Sequence, residues 1–380
     1  MSWREFCTSL GNMKTDTSYL GNDNFLPRLN AVRFFIVLAI ALGYASTMPL
    51  GPNEHETSEI FGYEPSWIGI QILFFFSGAL AYRSLLAGRS GLTYLKSRIL
   101  RVFPLLLAMT LTTVLVIYPI LGKPLSSSQD VLALVKYFFL TVTCLDPGRV
   151  LPGLLDDALY MCLIQGAIWT LRWGLILHIG VVIAARVPAL LKPRVILSGG
   201  LIAMVIYAIT SYTAAKLQIE ALRTPLVGLR LGYIFLLGMA VWAYRYALPQ
   251  GWHIRAIMLT GLFGFAALNY FVLPWTSLIE ICLSLSLAYG SWLAATSQTR
   301  RLSFLSNWPH LALGLYLIIW PTSQVLLHAF PDLGRHTLPM VALPLSIVLA
   351  WVSYAALTGR INRAIEARLT RKIAVQPTSL

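Results

Sequence analysis

The sequence is poor in charged residues, since Lys, Arg, Asp and Glu make up only 12% of its 380 residues. A soluble protein of this size carries about a quarter charged residues, so most of this chain faces something other than water. Closely spaced cysteines are missing too. Cys7, Cys144, Cys162 and Cys282 lie far apart, which argues against a disulfide framework or a zinc site. The alternating pattern of a membrane β-barrel is also missing.

Long apolar runs occupy most of the chain instead, with 57% apolar residues and a mean hydropathy of +0.71. Apolar segments recur from residue 31 to residue 357. In lipid each backbone polar group needs an internal partner, so these runs are expected to be helices. The shortest, 130–145, contains Lys136 and is predicted to be an interfacial or re-entrant helix. The sequence therefore predicts an all-α, polytopic membrane protein with about ten transmembrane helices.

The basic residues indicate which loops face the cytoplasm. Most of the 29 Lys and Arg residues fall at the N-terminus, in alternate loops and in the tail, whereas Glu54 and Glu56 lie in the first loop between them. This asymmetry predicts that both termini are cytoplasmic. It also explains the net charge of +14 as a consequence of the topology in a lipid membrane. Nucleic acid is therefore not expected as a partner. We expect a cytoplasmic segment over 1–27, a transmembrane domain over 28–358 and a basic cytoplasmic tail over 359–380.

Four basic residues stand at the cytoplasmic ends of the first and third predicted helices. Arg33 opens the first helix, and Lys96, Arg98 and Arg101 precede the third, which is predicted at 102–121. Arg98 and Arg101 are three residues apart and share a helix face. A guanidinium binds two phosphate oxygens at once, so these residues favour a pocket for a phosphorylated cofactor such as coenzyme A. The alternative is the ordinary basic decoration of a cytoplasmic loop.

Six stretches follow one another in the order typical of a known family. They are Arg28-Leu-Asn-Ala-Val-Arg33 with Leu42-Gly43-Tyr44, the run from Gly69 to Gly78, the run from Lys96 to Pro104, the run from Gly166 to Leu171, Phe235-Leu-Leu-Gly238-Met239, and the run from Gly314 to Pro321. On these residues the chain resembles the acyltransferase 3 family of membrane proteins, which O-acylate bacterial surface sugars.

The resemblance implies an enzyme that moves an acetyl or other small acyl group from acyl-CoA to a sugar hydroxyl of a surface or exported polysaccharide. Acetyl-CoA would be the acyl donor, bound by Arg33, Lys96, Arg98 and Arg101, and no metal would be required. The acceptor would be a saccharide or a lipid-linked saccharide. The resemblance further implies the bacterial cytoplasmic membrane and a place beside a polysaccharide synthesis complex.

Three positions depart from the pattern of that family. Tyr44 stands where the resemblance implies a catalytic histidine, and Gly174 and Ile319 stand where it implies an acidic residue and a second histidine. Tyrosine, with an ordinary pKa of about 10, is a poorer base at neutral pH than histidine. Either Tyr44 acts as an unusual base, or His178, one turn after Gly174 on the same helix face, replaces it, or the chain is a catalytically inactive accessory subunit or transporter. If His178 has no catalytic role, it is expected to be a buried structural residue that hydrogen-bonds to a neighbouring helix.

Three carboxylates fall outside these motifs. Glu280 is expected to hydrogen-bond to a neighbouring helix near the outer end of its span. Asp156 and Asp157 lie in a predicted outer loop. They are either contacts for a sugar acceptor or members of an ordinary solvated loop.

Overall fold

The structure, a computed structural model, describes residues 25–52, 59–86, 90–248, 252–272, 275–297 and 299–359. Residues 1–24 and 360–380 lie outside the described residues, and with them most of the two predicted terminal segments. Within the described part, the regular structure is helical apart from two isolated β-bridges. Ten described helices are long and apolar enough to cross a membrane, which confirms the predicted all-α, polytopic membrane fold.

The α-helices of the described residues are numbered in chain order. They are α1 (Leu29–Thr47), α2 (Pro65–Leu86), α3 (Gly91–Thr112), α4 (Ser128–Val142), α5 (Trp169–Ala184), α6 (Pro193–Leu217), α7 (Arg223–Ala243), α8 (Trp252–Val272), α9 (Thr276–Thr296), α10 (Ala312–Ala329) and α11 (Thr337–Ser353). A π-turn at Thr113–Ile117 and a short helix at Tyr118–Leu121 continue α3. α4 has 15 residues and is not among the ten helices long enough to span, as the sequence predicts for the segment at 130–145.

The chain divides into two compact units, which are interleaved along the sequence. The first unit consists of residues 1–29, 74–91 and 184–307. In this unit α6 packs against α7 and α9, and α8 packs against α9. α2 meets α7 at two buried glycines. A Cβ at Gly78 would lie 1.9 Å from the carbonyl oxygen of Phe235, and one at Gly238 would lie 2.0 Å from that of Phe75.

The second unit consists of residues 30–73, 92–183 and 308–380. α10 packs against α11 in this unit, with Gly314 close to Ala350. α4 contributes Tyr137 to a buried cluster that also includes Leu151 and Ile164 from the irregular segment after it. A capping box of Ser127 and Asp130 starts α4, because each side chain binds the other residue's backbone N–H.

Two of the differences between predicted and observed helix starts affect the candidate site. α3 begins at Gly91, not at 102, and so includes the basic residues that interrupt the apolar pattern. α5 begins at Trp169, whereas the apolar run predicted a helix from residue 160. That prediction was wrong for residues 160–165, where the chain is irregular and Cys162 has a φ of 58°. The apolar composition of this segment reflects its low-polarity surroundings. It does not determine the backbone conformation.

Candidate functional site

Three arginines of the second unit lie in the N-terminal halves of α1 and α3, toward the helix ends that the charge distribution predicts to be cytoplasmic. Because α3 begins at Gly91, Arg98 and Arg101 are helical and share a face. Both lie within electrostatic range of Arg33 in the second unit. Lys96 is exposed on a different face of α3, and its predicted role in donor binding stays a prediction.

No described carboxylate of the second unit lies at this end of the helices. The described acidic residues of the unit are Glu59, Glu64, Asp130, Asp146, Asp156, Asp157 and Asp332, and all of them are in or beside the connections at the opposite helix ends. Like charges within electrostatic range of each other repel, and a bound anion relieves that repulsion. In addition, Nε of Arg33 is buried and has no hydrogen-bond partner among the described residues, which suits a site that receives an acceptor.

Trp308 packs against the start of α1, and sequence reasoning missed it. Its ring centroid is 5.3 Å from that of Phe34 and 5.7 Å from that of Phe35, the two residues that follow Arg33. Its Nε1 is buried and has no hydrogen-bond partner in the described part of the chain. In sequence, a tryptophan just before a span is typical of an interfacial anchor. Only the burial of its indole N–H distinguishes Trp308 from such an anchor.

His178 on α5 is hydrogen-bonded to Tyr94 on α3. The Tyr94 hydroxyl oxygen is 2.6 Å from His178 Nδ1, and the guanidinium of Arg98 lies 5.4 Å from the centre of the Tyr94 ring and hydrogen-bonds to its side chain. Arg98 can only donate, and the fully buried Tyr94 has one proton to give. This arrangement therefore assigns Tyr94 as the donor to Nδ1, which leaves the imidazole proton on Nε2. In that tautomer Nε2 carries a proton and is a donor, and the role of His178 as a base stays a prediction.

Tyr44 belongs to a second cluster, nearer the C-terminal end of α1. Its ring meets Trp320 edge to face with centroids 5.2 Å apart, and its hydroxyl is hydrogen-bonded to Tyr316. Tyr316 donates its own proton to the carbonyl of Ala167 at 2.6 Å, so its oxygen accepts from Tyr44. The structure therefore places the two predicted catalytic residues, Tyr44 and His178, in separate clusters.

The hydrogen-bond chain from Tyr44 ends at a peptide carbonyl. Tyr44 donates to Tyr316, Thr170 Oγ1 lies 2.9 Å from the same Tyr316 hydroxyl, and Tyr316 donates to a backbone oxygen that is not a proton acceptor at neutral pH. A proton taken up by Tyr44 therefore has no further acceptor along this chain. The role of Tyr44 as a base stays a prediction.

The irregular segment between α4 and α5 runs beside the middle of α10. Trp320 Nε1 donates to the carbonyl of Leu163 at 3.0 Å, and Gln324 Nε2 donates to the carbonyls of Leu163 and Tyr160 at 3.2 and 3.4 Å. Non-helical backbone at membrane depth requires such internal partners. Gly166 permits the approach, because a Cβ there would lie 2.4 Å from the Trp320 indole.

The other two departures from the family pattern add no polar group to either cluster. A Cβ at Gly174 would meet nothing within 4 Å, so the position has room for a larger side chain. Ile319 is fully buried in α10. The described residues also contain no group of three His, Cys, Asp or Glu side chains arranged to hold a metal ion.

Asp156 is held by its own segment of the chain. Its carboxylate pairs with Lys123 at 2.6 Å and accepts from the Cys162 thiol at 2.9 Å and from the Gly153 N–H at 3.0 Å. These donors, the Cys162 thiol first, hold the pKa of Asp156 below its ordinary value. In return, burial and the Asp156 carboxylate raise the pKa of Cys162 to about 11. A contact of Asp156 or Asp157 with a sugar stays a prediction.

Asp156→Asn is expected to make Cys162 react faster with a maleimide at pH 8, by about three- to tenfold. The substitution removes the negative charge that holds the thiol proton, whereas burial, the larger cause, remains. The pKa of Cys162 therefore falls only part of the way, and the thiolate fraction rises. Labelling of the Cys162 peptide is followed by mass spectrometry, with Asp157→Asn at the exposed neighbouring carboxylate as the matched control. Equal rates in wild type and Asp156→Asn would contradict this coupling.

Comparisons of the chain with protein-family models, with curated proteins and with solved structures give no match.

Proposed function

We propose that the chain is a membrane O-acyltransferase that moves an acetyl or other small acyl group from acyl-CoA to a hydroxyl of a surface or exported polysaccharide. The placement of Arg33, Arg98 and Arg101 on α1 and α3 of the second unit, within electrostatic range of one another, is the observation that supports it most. The phosphate groups of coenzyme A are anions that guanidinium groups bind in bidentate fashion. The reaction itself comes from the resemblance to the acyltransferase 3 family.

The proposed reaction exchanges a thioester for an ester. The sugar hydroxyl oxygen attacks the carbonyl carbon of the acyl-CoA, the carbon–sulfur bond breaks, and the hydroxyl proton ends on the thiol of coenzyme A. Tyr44 and His178 are the predicted proton-handling residues. On this proposal the chain resides in a bacterial cytoplasmic membrane and meets a saccharide or lipid-linked saccharide, in contact with a polysaccharide synthesis complex.

Labelled acetyl-CoA tests the proposal directly, with the protein purified into nanodiscs. We expect hydrolysis or transfer by the wild type, and a KM for acetyl-CoA raised by about tenfold or more in Arg98→Ala/Arg101→Ala, because two charge-assisted phosphate contacts are lost. Lys192→Ala/Arg194→Ala, which removes two basic residues at the start of α6 in the first unit, is the matched control. A loss of kcat in His178→Ala or Tyr44→Phe would identify the residue that handles the proton.

A second candidate is a catalytically inactive relative that acts as an accessory subunit or transporter. It is supported by the hydrogen-bond chain of Tyr44, which ends at the carbonyl of Ala167 and so offers no base. An inactive wild type that gains turnover in Tyr44→His would establish this candidate. An inactive wild type with no gain in Tyr44→His and no binding of acetyl-CoA would reject the acyltransferase proposal, and uptake of cargo into vesicles would then identify a transporter.

A further inference from the structure

We infer that the guanidinium group of Arg172 on α5 binds the headgroup phosphate of an anionic phospholipid. The site lies toward the end of α5 that the charge distribution predicts to be the outer one, so the lipid belongs to the outer leaflet. The inference goes beyond the proposed function and does not depend on acyl transfer. Arg172 belongs to none of the six stretches that resemble the acyltransferase 3 family.

Arg172 lies on an exposed apolar stripe of a helix that is long enough to cross a membrane. Its span covers residues 166–184, and Arg172 itself is exposed. The residues four, seven and eleven positions later lie on the same helix face. They are Ile176, Ile179 and Ile183, which are 47%, 40% and 65% exposed. A continuous exposed apolar surface of this kind on a spanning helix is typical of contact with lipid.

The depth of Arg172 brings its charge to the level of the headgroups. The residue lies about 9 Å along the helix axis from the first residue of the span. A long basic side chain at that depth extends toward the nearer membrane surface. The stability of α5 does not explain the position, because Arg172 is in the first turn of the helix, where the macrodipole disfavours a cation. A bound anion relieves both this repulsion and the cost of a charge inside a span.

No described carboxylate supplies that anion. Arg172 has no hydrogen bond or ion pair with another described residue. The irregular segment before α5 brings Asp146 toward the start of the helix, since a Cβ at Gly148 would lie 3.4 Å from the Cβ of Trp169. Asp146 already has a cation, however, because its Oδ2 lies 3.3 Å from Nη1 of Arg149. The counter-ion of Arg172 must therefore come from outside the described part of the chain.

The chemistry of the stripe selects an anionic phospholipid as this counter-ion. Phosphate oxygens accept two parallel N–H bonds from one guanidinium group. The headgroup of a zwitterionic lipid carries its own ammonium, which competes for the phosphate, whereas phosphatidylglycerol presents a net negative charge to a basic residue. The acyl chains of the same molecule would lie along Ile176, Ile179 and Ile183. One lipid therefore satisfies both the charge and the apolar surface.

Arg172→Leu tests the inference, because leucine continues the apolar stripe and removes the charge. The full chain is purified in detergent and titrated with phosphatidylglycerol or phosphatidylcholine of the same acyl chains, and bound lipids are counted by native mass spectrometry. We expect Arg172→Leu to bind one phosphatidylglycerol fewer, with the affinity of that site weakened by about tenfold or more. Arg223→Leu at the start of α7 is the matched control, since Arg223 Nη2 already lies 3.2 Å from Glu220 Oε1. It should bind lipid as the wild type does.

Three results would overturn the inference. They are equal lipid binding by wild type and Arg172→Leu, an equal loss in Arg223→Leu, and a wild type that does not prefer phosphatidylglycerol to phosphatidylcholine. A wild-type dimer that Arg172→Leu converts to a monomer, with lipid binding unchanged, would also overturn it and assign the stripe to a second copy of the chain. Arg172→Lys is expected to bind with intermediate affinity, because an ammonium keeps the charge without the planar fork.

Discussion

Gly78→Ala and Gly238→Ala are each expected to lower the apparent unfolding temperature by about 10 °C or more. A Cβ at Gly78 would lie 1.9 Å from the carbonyl oxygen of Phe235, and one at Gly238 would lie 2.0 Å from that of Phe75. Neither obstacle is a flexible side chain, so α2 and α7 must move apart to admit the methyl group. Every contact along the crossing of these two helices weakens when they separate.

The two substitutions are expected to be less than additive. Each glycine lies three residues after the phenylalanine whose carbonyl its partner glycine approaches, so both methyl groups push on the same crossing from opposite sides. Once one methyl group has separated the helices, the second one costs less. Thermal unfolding in detergent of Gly78→Ala, Gly238→Ala and the double substitution measures this directly.

Gly199→Ala on α6 is the matched control for that series. A Cβ at Gly199 meets nothing within 4 Å, and alanine favours a helix over glycine by up to about 1 kcal/mol. The control is therefore expected to unfold at the same temperature as the wild type or slightly higher. A Gly78→Ala protein as stable as Gly199→Ala would show that the close crossing is not present in the native protein.

The same two glycines show what the resemblance to the acyltransferase 3 family could and could not predict. Gly78 ends one of the six matching stretches, Gly238 lies inside another, and Gly166 begins a third. The structure gives each of them a packing role, against Phe235, Phe75 and Trp320 respectively. A motif read from sequence does not separate residues that hold helices together from residues that contact a substrate, because both occupy fixed positions along the chain.

Other features could not be predicted from the sequence, because they depend on contacts between residues that are distant along the chain. The spacing of Arg98 and Arg101 predicts their common face, but nothing in it predicts that Tyr94 reaches His178. The burial of the Trp308 N–H is likewise a property of packing. By contrast, the number of spans follows from apolar run length, because a bilayer imposes that length on each helix separately.

Glu280→Ala is the second substitution with a large expected effect, a loss of about 3–5 kcal/mol of unfolding free energy. Glu280 on α9 pairs with Arg230 on α7, with Arg230 Nη1 3.4 Å from Glu280 Oε1, and it accepts a hydrogen bond from Tyr207 on α6. This confirms the expected interhelical hydrogen bond of Glu280. Glu280 and Arg230 are 3% and 1% exposed, so removal of the carboxylate leaves a positive charge in a buried site inside the membrane.

A matched series separates the charge from the hydrogen bond. Tyr207→Phe removes one hydrogen bond and keeps the ion pair, so a smaller loss of about 1–2 kcal/mol is expected. Arg230→Met/Glu280→Leu removes both charges and fills a similar volume, so it should be clearly more stable than Glu280→Ala, because no charge remains buried without its counter-ion. Pulse proteolysis in detergent reports the unfolded fraction of each variant.

The double substitution decides what the ion pair does in the first unit. Recovery of most of the loss in Arg230→Met/Glu280→Leu means that the three helices α6, α7 and α9 hold together through apolar packing, and that each charge is tolerated because of the other. A double substitution as unstable as the sum of Arg230→Met and Glu280→Leu would contradict this. The hydrogen bonds of Glu280 to Tyr207 and Arg230 would then join the three helices directly, since apolar side chains of similar volume cannot replace them.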